Sequence, residues 1–288
     1  MERRMVEVMR RRRLRSYLSS DRRPWRKGYG EYRDDFMQHV LSSENLAEVF
    51  LKAYFLPKGY GFRLDARVVE IPWVLARLKD KRGKLLDAGS SLNHGFVVTA
   101  PALAGKKVTI VTLAPESECY WNHGVSYVFG DLVDLVFRDA SFDFVVCIST
   151  IEHIGMDNAM YTGANAIASS GDRKGFLRAV SEMKRILKPG GIFYVTFPFG
   201  RYEDHKWFQQ FDSMLTDTLI EEFGSSRMSE TIFRYDPDGW IVSDRASCAE
   251  CEFFDVHTSR YFDHNSTLEY PLDYPAGERA VACIEMHK

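Results

Sequence analysis

The segment that most constrains this chain is Phe142-Asp143-Phe144-Val145-Val146-Cys147-Ile148, apolar but for Asp143. It stops abruptly at Ser149, Thr150, Ile151, Glu152 and His153. A run that does not alternate reads as a strand covered on both faces, hence a central strand of a parallel sheet. In an open α/β sheet, ligands bind just past the carboxyl ends of such strands. The two hydroxyls, the acid and the imidazole therefore stand where a site belongs.

A second half lies downstream. Phe176, Val180, Met183 and Leu187 recur at helical spacing and make one apolar stripe. Lys184, Arg185 and Lys188 put positive charge at the helix C-terminus, where the macrodipole favours it. Pro189 stops the helix, and Gly190-Gly191 allow a tight exit into residues 192–197, a second buried strand. Strand, helix and strand make a βαβ unit, which crosses over right-handed.

Upstream, residues 84–95 read as an apolar strand ending in Asp87, then the small-residue turn Ala88-Gly89-Ser90-Ser91-Leu92-Asn93. Residues 106–113 form a β-branched strand, and 125–132 a short one ending in Gly130-Asp131. Later strands are expected at 231–235, 253–258 and 280–286, and a helix near 207–223. Residues 34–80 hold two amphipathic segments, near 44–55 and 65–79. The stretch 155–175 is rich in Gly, Ala, Asn and Ser and leaves directly from the site, which suits a lid.

The net charge of −2 hides an asymmetry. Residues 1–33 carry 11 Arg and 1 Lys against 4 acids, while the rest carry 26 basic residues and 36 acids. The leader reads either as a mobile solvated tail or as an arm for an anionic surface, nucleic acid or a partner. The acidic body argues against nucleic acid. No apolar run reaches about 18 residues, and no apolar stretch follows the basic start, so a cytoplasmic chain is expected. Five cysteines suggest reduced thiols. Cys248-Ala249-Glu250-Cys251 lacks the further ligands a zinc site needs, so ordinary half-buried cysteines are expected there.

Strand-Asp-x-Gly, a second strand, Gly-Asp, the Phe142 run with Glu152-His153, and Leu187-Lys188-Pro189-Gly190-Gly191 together resemble the class I S-adenosylmethionine-dependent methyltransferases. The resemblance is to the small-molecule group that includes ubiquinone-pathway and glycan-cluster enzymes, and it covers roughly residues 80–200. It implies a doubly wound Rossmann-like α/β sheet, mostly parallel with an antiparallel C-terminal strand. The charge asymmetry and the two amphipathic helical segments set off a basic arm (1–33) and a helical N-terminal cap (34–80) from the methyltransferase domain (81–288), with the acceptor expected to enter beside 199–245.

The resemblance implies S-adenosylmethionine as cofactor and a small-molecule acceptor, methylated on oxygen or nitrogen, with a sugar or glycan precursor in view. Asp87, Gly89, Ser91 and Asn93 would line its methionine end, Thr112 and Leu113 the ribose, Asp131 and Leu132 the adenine, and Ser149 and Thr150 the ammonium. Two departures stand out: Ser91 and Asn93 replace the family's second and third glycines, and Thr112 replaces its ribose-binding acid. Glu152 and His153 are the candidate catalytic pair. Ubiquinone-pathway members hold a divalent cation with Glu-x-x-Glu-His, but Ser149 stands at the first position here, and no metal is expected. The alternatives are a nucleic-acid methyltransferase using the arm, or a non-catalytic binding protein on a degenerate version of the fold.

Overall fold

Five parallel strands carry one half of the sheet: β1 (Gly83–Ala88), β2 (Lys106–Thr112), β3 (Ser126–Phe129), β4 (Phe142–Ile148) and β5 (Leu187–Pro198). The computed structural model describes residues 2–52, 54–159, 171–225 and 227–288. Two residue pairs, β6 (Glu203–Asp204) and β7 (Gln209–Gln210), form a small ribbon apart from the sheet. The sheet is completed by β8 (Arg227–Asp236), β9 (Gly239–Ser243) and β10 (Ala280–His287), giving the order β3-β2-β1-β4-β5-β10-β8-β9. β10 lies antiparallel between β5 and β8, so the mostly parallel sheet ends in antiparallel strands.

β4 is central, as its sequence requires, and only Asp143 along it is not buried. That acid closes the strand's start, accepting the Lys84 amide at 2.8 Å and the Lys188 ammonium at 2.7 Å. Partner positions jump from Phe142–Leu187 to Phe144–Ile192, so Lys188-Pro189-Gly190-Gly191 is looped out of the ladder.

Helices cover both faces. In chain order they are α1 (Glu2–Leu18), α2 (Tyr29–Ser42), α3 (Glu44–Lys52), α4 (Arg67–Leu78), the single turn α5 (Gly95–Val98), α6 (Gly175–Ile186) and α7 (Ser213–Phe223). α6 and α7 pack on one face; Phe176, Val180 and Met183 bury the stripe read from the sequence. α4 covers the other face, with every residue from Val68 to Ala76 buried. Pro72 stands inside α4 and has no amide to give the Val68 carbonyl. The Tyr60 hydroxyl donates to that carbonyl instead, at 2.6 Å, so the helix continues without a buried orphan acceptor.

Two expected elements differ. Residues 253–258 form no strand; Val256–Thr258 is a 3-10 turn begun by Asp255, which accepts the His257 amide. Phe253 and Phe254 pack instead against Phe208 and Tyr270. The helix expected from 207 starts at Ser213, because Gln209–Gln210 pair with Glu203–Asp204 and Asp212 caps the helix through the Leu215 amide. Of the lid expected at 155–175, residues 160–170 lie outside the described residues.

The basic leader is fastened to the body rather than loose. Tyr17 is buried against Tyr29 and Tyr32. The Trp25 indole donates to the Ala276 carbonyl at 2.6 Å, and Arg26 to the Tyr261 hydroxyl at 2.9 Å. Arg33 pairs with Asp65 at 2.9 Å, Arg13 with Glu31 at 3.3 Å, and Arg10 with Asp35. At Gly28, φ is +97° and a Cβ would collide with the Arg13 carbonyl and Tyr17, so only glycine lets α1 and α2 meet this closely. Residue 33, where the arm was expected to end, falls inside α2.

Candidate functional site

Three turns meet beyond the carboxyl ends of β1, β2 and β4. β1 ends in Asp87, fully buried, with one carboxylate oxygen accepting the Leu92 amide at 2.8 Å and the other without a hydrogen-bond partner. Burial pushes its carboxyl up to about 7, against the pull of the Leu92 and Ser91 amides; Glu116 adds negative charge nearby. Gly89 (φ +109°) follows, and a Cβ there would run into the Thr150 side chain. The β1 turn therefore lies directly on the β4 turn.

β4 ends in a carbonyl with three donors on it. Ile148 accepts from the Ser91 hydroxyl at 2.6 Å, the Thr150 hydroxyl at 3.0 Å and the Arg67 guanidinium at 3.1 Å. Ser149 then takes the left-handed conformation (φ +36°), a cost of about 1–3 kcal/mol for a residue other than glycine. Its bonds offset that cost. The amide donates to the Thr196 carbonyl at 2.9 Å, and the hydroxyl donates to Glu70 at 2.5 Å. Glu70 is fully buried in α4 and also accepts the Thr196 hydroxyl at 2.6 Å and the Arg67 guanidinium at 3.1 Å. Charge-assisted bonds of this kind are among the stronger ones in proteins.

The chain turns again at Ile151–His153. Glu152 is buried and has one carboxylate oxygen without a partner. Burial pushes its carboxyl well above the usual range, helped by Glu70 and opposed by Arg67. Glu278 accepts the Ala66 amide at 2.8 Å and is raised to about 7, again mainly by burial. Asp65, Glu70, Glu152 and Glu278 all act electrostatically on Arg67. His153 Nδ1 lies 2.9 Å from the Trp207 carbonyl, which can only accept, so Nδ1 carries the proton. Burial lowers the imidazole to about 4 and keeps it neutral. Its Nε2 is 3.9 Å from Glu152 Oε1, and its ring packs on Trp207 and Phe208.

The remaining residues expected at the site are spread around this centre. Asn93 joins the β1 turn to its neighbours: its amide donates to the Glu118 carbonyl at 3.0 Å and its oxygen accepts the Tyr127 hydroxyl at 2.8 Å. Thr112 donates to the Ala114 carbonyl at 3.3 Å, within its own loop. Leu113 is exposed at the β2 tip, while Leu132 is buried in the core. Asp131 caps its own turn by accepting the Val133 amide at 3.1 Å.

Sequence reasoning missed Arg67, Glu70, Thr196 and Glu278. Glu70 had a signal: a single acid inside the apolar run Val68, Val69, Ile71 of an otherwise buried helix. Glu278 had none, since it reaches the site from the irregular chain before β10.

Residues 86–195 match the family described as "Methyltransferase domain". No curated protein matches the chain. Among solved structures, it is similar to a possible histamine N-methyltransferase from Thermotoga maritima, at 16% identity and a TM-score of 0.45, over 88% of this chain and 99% of that one. It is also similar to a 1,6-didemethyltoxoflavin-N1-methyltransferase from Burkholderia thailandensis (14%, 0.44, 89% and 87%). A putative sarcosine dimethylglycine methyltransferase from Galdieria sulphuraria gives 16%, 0.44, 75% and 81%. With the family match lying across β1 to β5, where the strand tips carry the buried acids and the glycine turn, this chain carries a class I S-adenosylmethionine-dependent methyltransferase domain.

Proposed function

We propose that the chain methylates an oxygen or nitrogen of a small molecule, with sugars and glycan precursors first among the acceptors to screen. The observation that carries this reading is the unpartnered, buried carboxylate oxygen of Glu152 beside the neutral His153, at the end of the central strand.

The residues fit the cofactor. Asp87 has a buried oxygen in want of a donor, and Gly89 leaves no side chain over the turn. Asp87, Gly89, Ser91 and Asn93 would hold the methionine end, Thr112 and Leu113 the ribose with Glu116 close by, Asp131 and Leu132 the adenine, and Ser149 and Thr150 the ammonium. Bound there, S-adenosylmethionine supplies an activated methyl on a sulfonium centre.

The protein's part is then orientation and proton removal. Fixing acceptor and methyl in line is worth roughly 7–11 kcal/mol. Glu152, with its carboxyl raised, is the group we assign to take the acceptor's proton. His153 has its Nδ1 committed to the Trp207 carbonyl and its imidazole lowered by burial, and we assign it to positioning: it ties the β4 turn to the Trp207 segment.

The test is transfer of labelled methyl to fractions of small metabolites and, separately, to polynucleotide. Glu152→Gln should lose about 10²–10⁴-fold in transfer while S-adenosylhomocysteine binding stays within twofold. Transfer confined to polynucleotide, or unchanged by the substitution, refutes the reading.

A further inference from the structure

One sequence motif has no part in the site: the Cys248-x-x-Cys251 pair. We propose that Cys248 and Cys251 form a reversible dithiol–disulfide site, oxidised by a small-molecule disulfide of the glutathione type. This inference does not depend on the methyl-transfer reading.

The geometry carries it. Cys248 is the last residue of the one-turn helix α8 (Arg245–Cys248), which Asp244 caps through the Ser247 amide. The chain then reverses, with the Cys251 amide donating to the Cys248 carbonyl at 2.9 Å. A turn closed between residues three apart holds its end Cα atoms within about 7 Å, a range that overlaps the roughly 4.4–6.8 Å a disulfide spans. Cys248 is fully buried and Cys251 only partly so, which makes Cys251 the thiol an oxidant meets first while Cys248 waits behind it. Cys248 Sγ also lies 3.4 Å from the Ser243 hydroxyl.

The chemistry agrees. A hydrogen bond from Cys251 lowers Cys248 to about 7, with Arg234 adding positive charge nearby, while Cys251 is held up by the same bond. The pair thus loses its first proton more easily than an isolated thiol does. By contrast, burial drives Cys147 and Cys283 well up and leaves them inert.

Oxidation proceeds in two exchanges. The Cys251 thiol passes its proton to the Cys248 thiolate across their hydrogen bond, and its sulfur attacks one sulfur of the small disulfide, whose S–S bond breaks and releases one thiolate. Cys248 then gives that proton up to solvent, attacks the Cys251 sulfur and releases the second. The protein pair loses two electrons and two protons, and the small disulfide gains them as two thiols.

The site also has a path to the segment after β5. The Cys251 carbonyl accepts the Arg201 amide at 2.9 Å and the Gln210 side-chain amide at 2.8 Å. At Gly200 a Cβ would collide with the same carbonyl. Trp207, whose carbonyl holds His153, lies on that segment.

The experiment titrates the purified full chain with mixtures of reduced and oxidised glutathione, followed by acid quench, alkylation and peptide mass analysis. The expected result is a monomer that loses the mass of two hydrogens, located to the Cys248–Cys251 peptide. Cys248→Ser should instead trap one glutathione on Cys251. Hydrogen exchange across 199–211 should slow in the oxidised form. No intramolecular disulfide at any ratio, or a glutathione adduct that persists on Cys251 in the unaltered chain, overturns the proposal. A disulfide that leaves exchange in 199–211 unchanged overturns the coupling to that segment.

Discussion

Asp87 offers the sharpest test of the strand-tip electrostatics. Its carboxyl moves from an ordinary 3.8 to about 7 on folding, with burial the leading cause. Such a difference amounts to roughly 4 kcal/mol between its protonated and ionised forms. The sign follows from proton counting. Between 3.8 and about 7 the folded chain holds the proton and the unfolded chain does not, so stability falls as pH rises through that window. Below 3.8 both states are protonated and the penalty vanishes; above about 7 both are ionised and it is complete.

Asp87→Asn removes the titration while keeping an oxygen for the Leu92 amide. An imperfect fit of the new amide shifts the variant by an amount that pH does not change. Urea unfolding at pH 4.5 and 8.5 isolates the titrating part, because Glu152 and Glu278 remain in both proteins. The variant should gain on the wild type by roughly 3 kcal/mol between those two pH values. A stability difference that stays flat across them refutes the raised carboxyl, and with it the view that Asp87 is held ready for a donor.

Three further outcomes are expected. Glu70→Ala leaves two hydroxyls without their acceptor and the Arg67 guanidinium without its ion-pair partner; urea unfolding should show a loss of about 3–5 kcal/mol, and Glu70→Gln a smaller one. Tyr17→Ala should cost roughly 3–5 kcal/mol in the same assay if the leader is integral, whereas a solvated tail would give a change within about 0.5 kcal/mol. Tyr29→Phe removes a hydroxyl that donates to the Asp65 carboxylate at 2.9 Å and accepts its amide at 2.8 Å; a loss of about 1–3 kcal/mol in thermal or urea unfolding is expected.

The centre of the sheet was legible because β1, β4 and β5 are largely covered on both faces, which writes an apolar run into the sequence. β4, β5 and α6 are the cleanest cases: their periodicities leave one arrangement open. The Pro189-Gly190-Gly191 exit was read too late in the chain: α6 ends at Ile186 and β5 begins at Leu187, so these residues bulge from the strand instead of stopping the helix. The strand at 253–258 misled because Phe253 and Phe254 look like strand residues, yet they bury against aromatics from other segments. The leader misled for a related reason. Eleven arginines read as solvated charge, but Tyr17, Trp25 and Tyr29 among them find buried partners, and several guanidiniums are neutralised by acids far along the chain. Neither fact has a local signature.

The candidate site was legible only as far as one strand tip can be read alone. Ser149 illustrates the gap. From the sequence it is a small residue after a buried strand. In the fold its left-handed backbone is held by Thr196 of β5 and by Glu70 of α4, 47 and 79 positions away. The Ile148 carbonyl is likewise shared among donors from the β1 turn, the β4 turn and α4. The central strands do not build this junction alone, because Ser149 and the Ile148 carbonyl are held in part by Glu70, Arg67 and Ser91 from outside the βαβ unit. α4 is therefore better regarded as part of the site's wall than as a lid laid over a finished domain. A fragment beginning at residue 81 should then keep the apolar core of β1, β4 and β5 but lose the Ser149 geometry, since no remaining acid replaces Glu70 between the two hydroxyls.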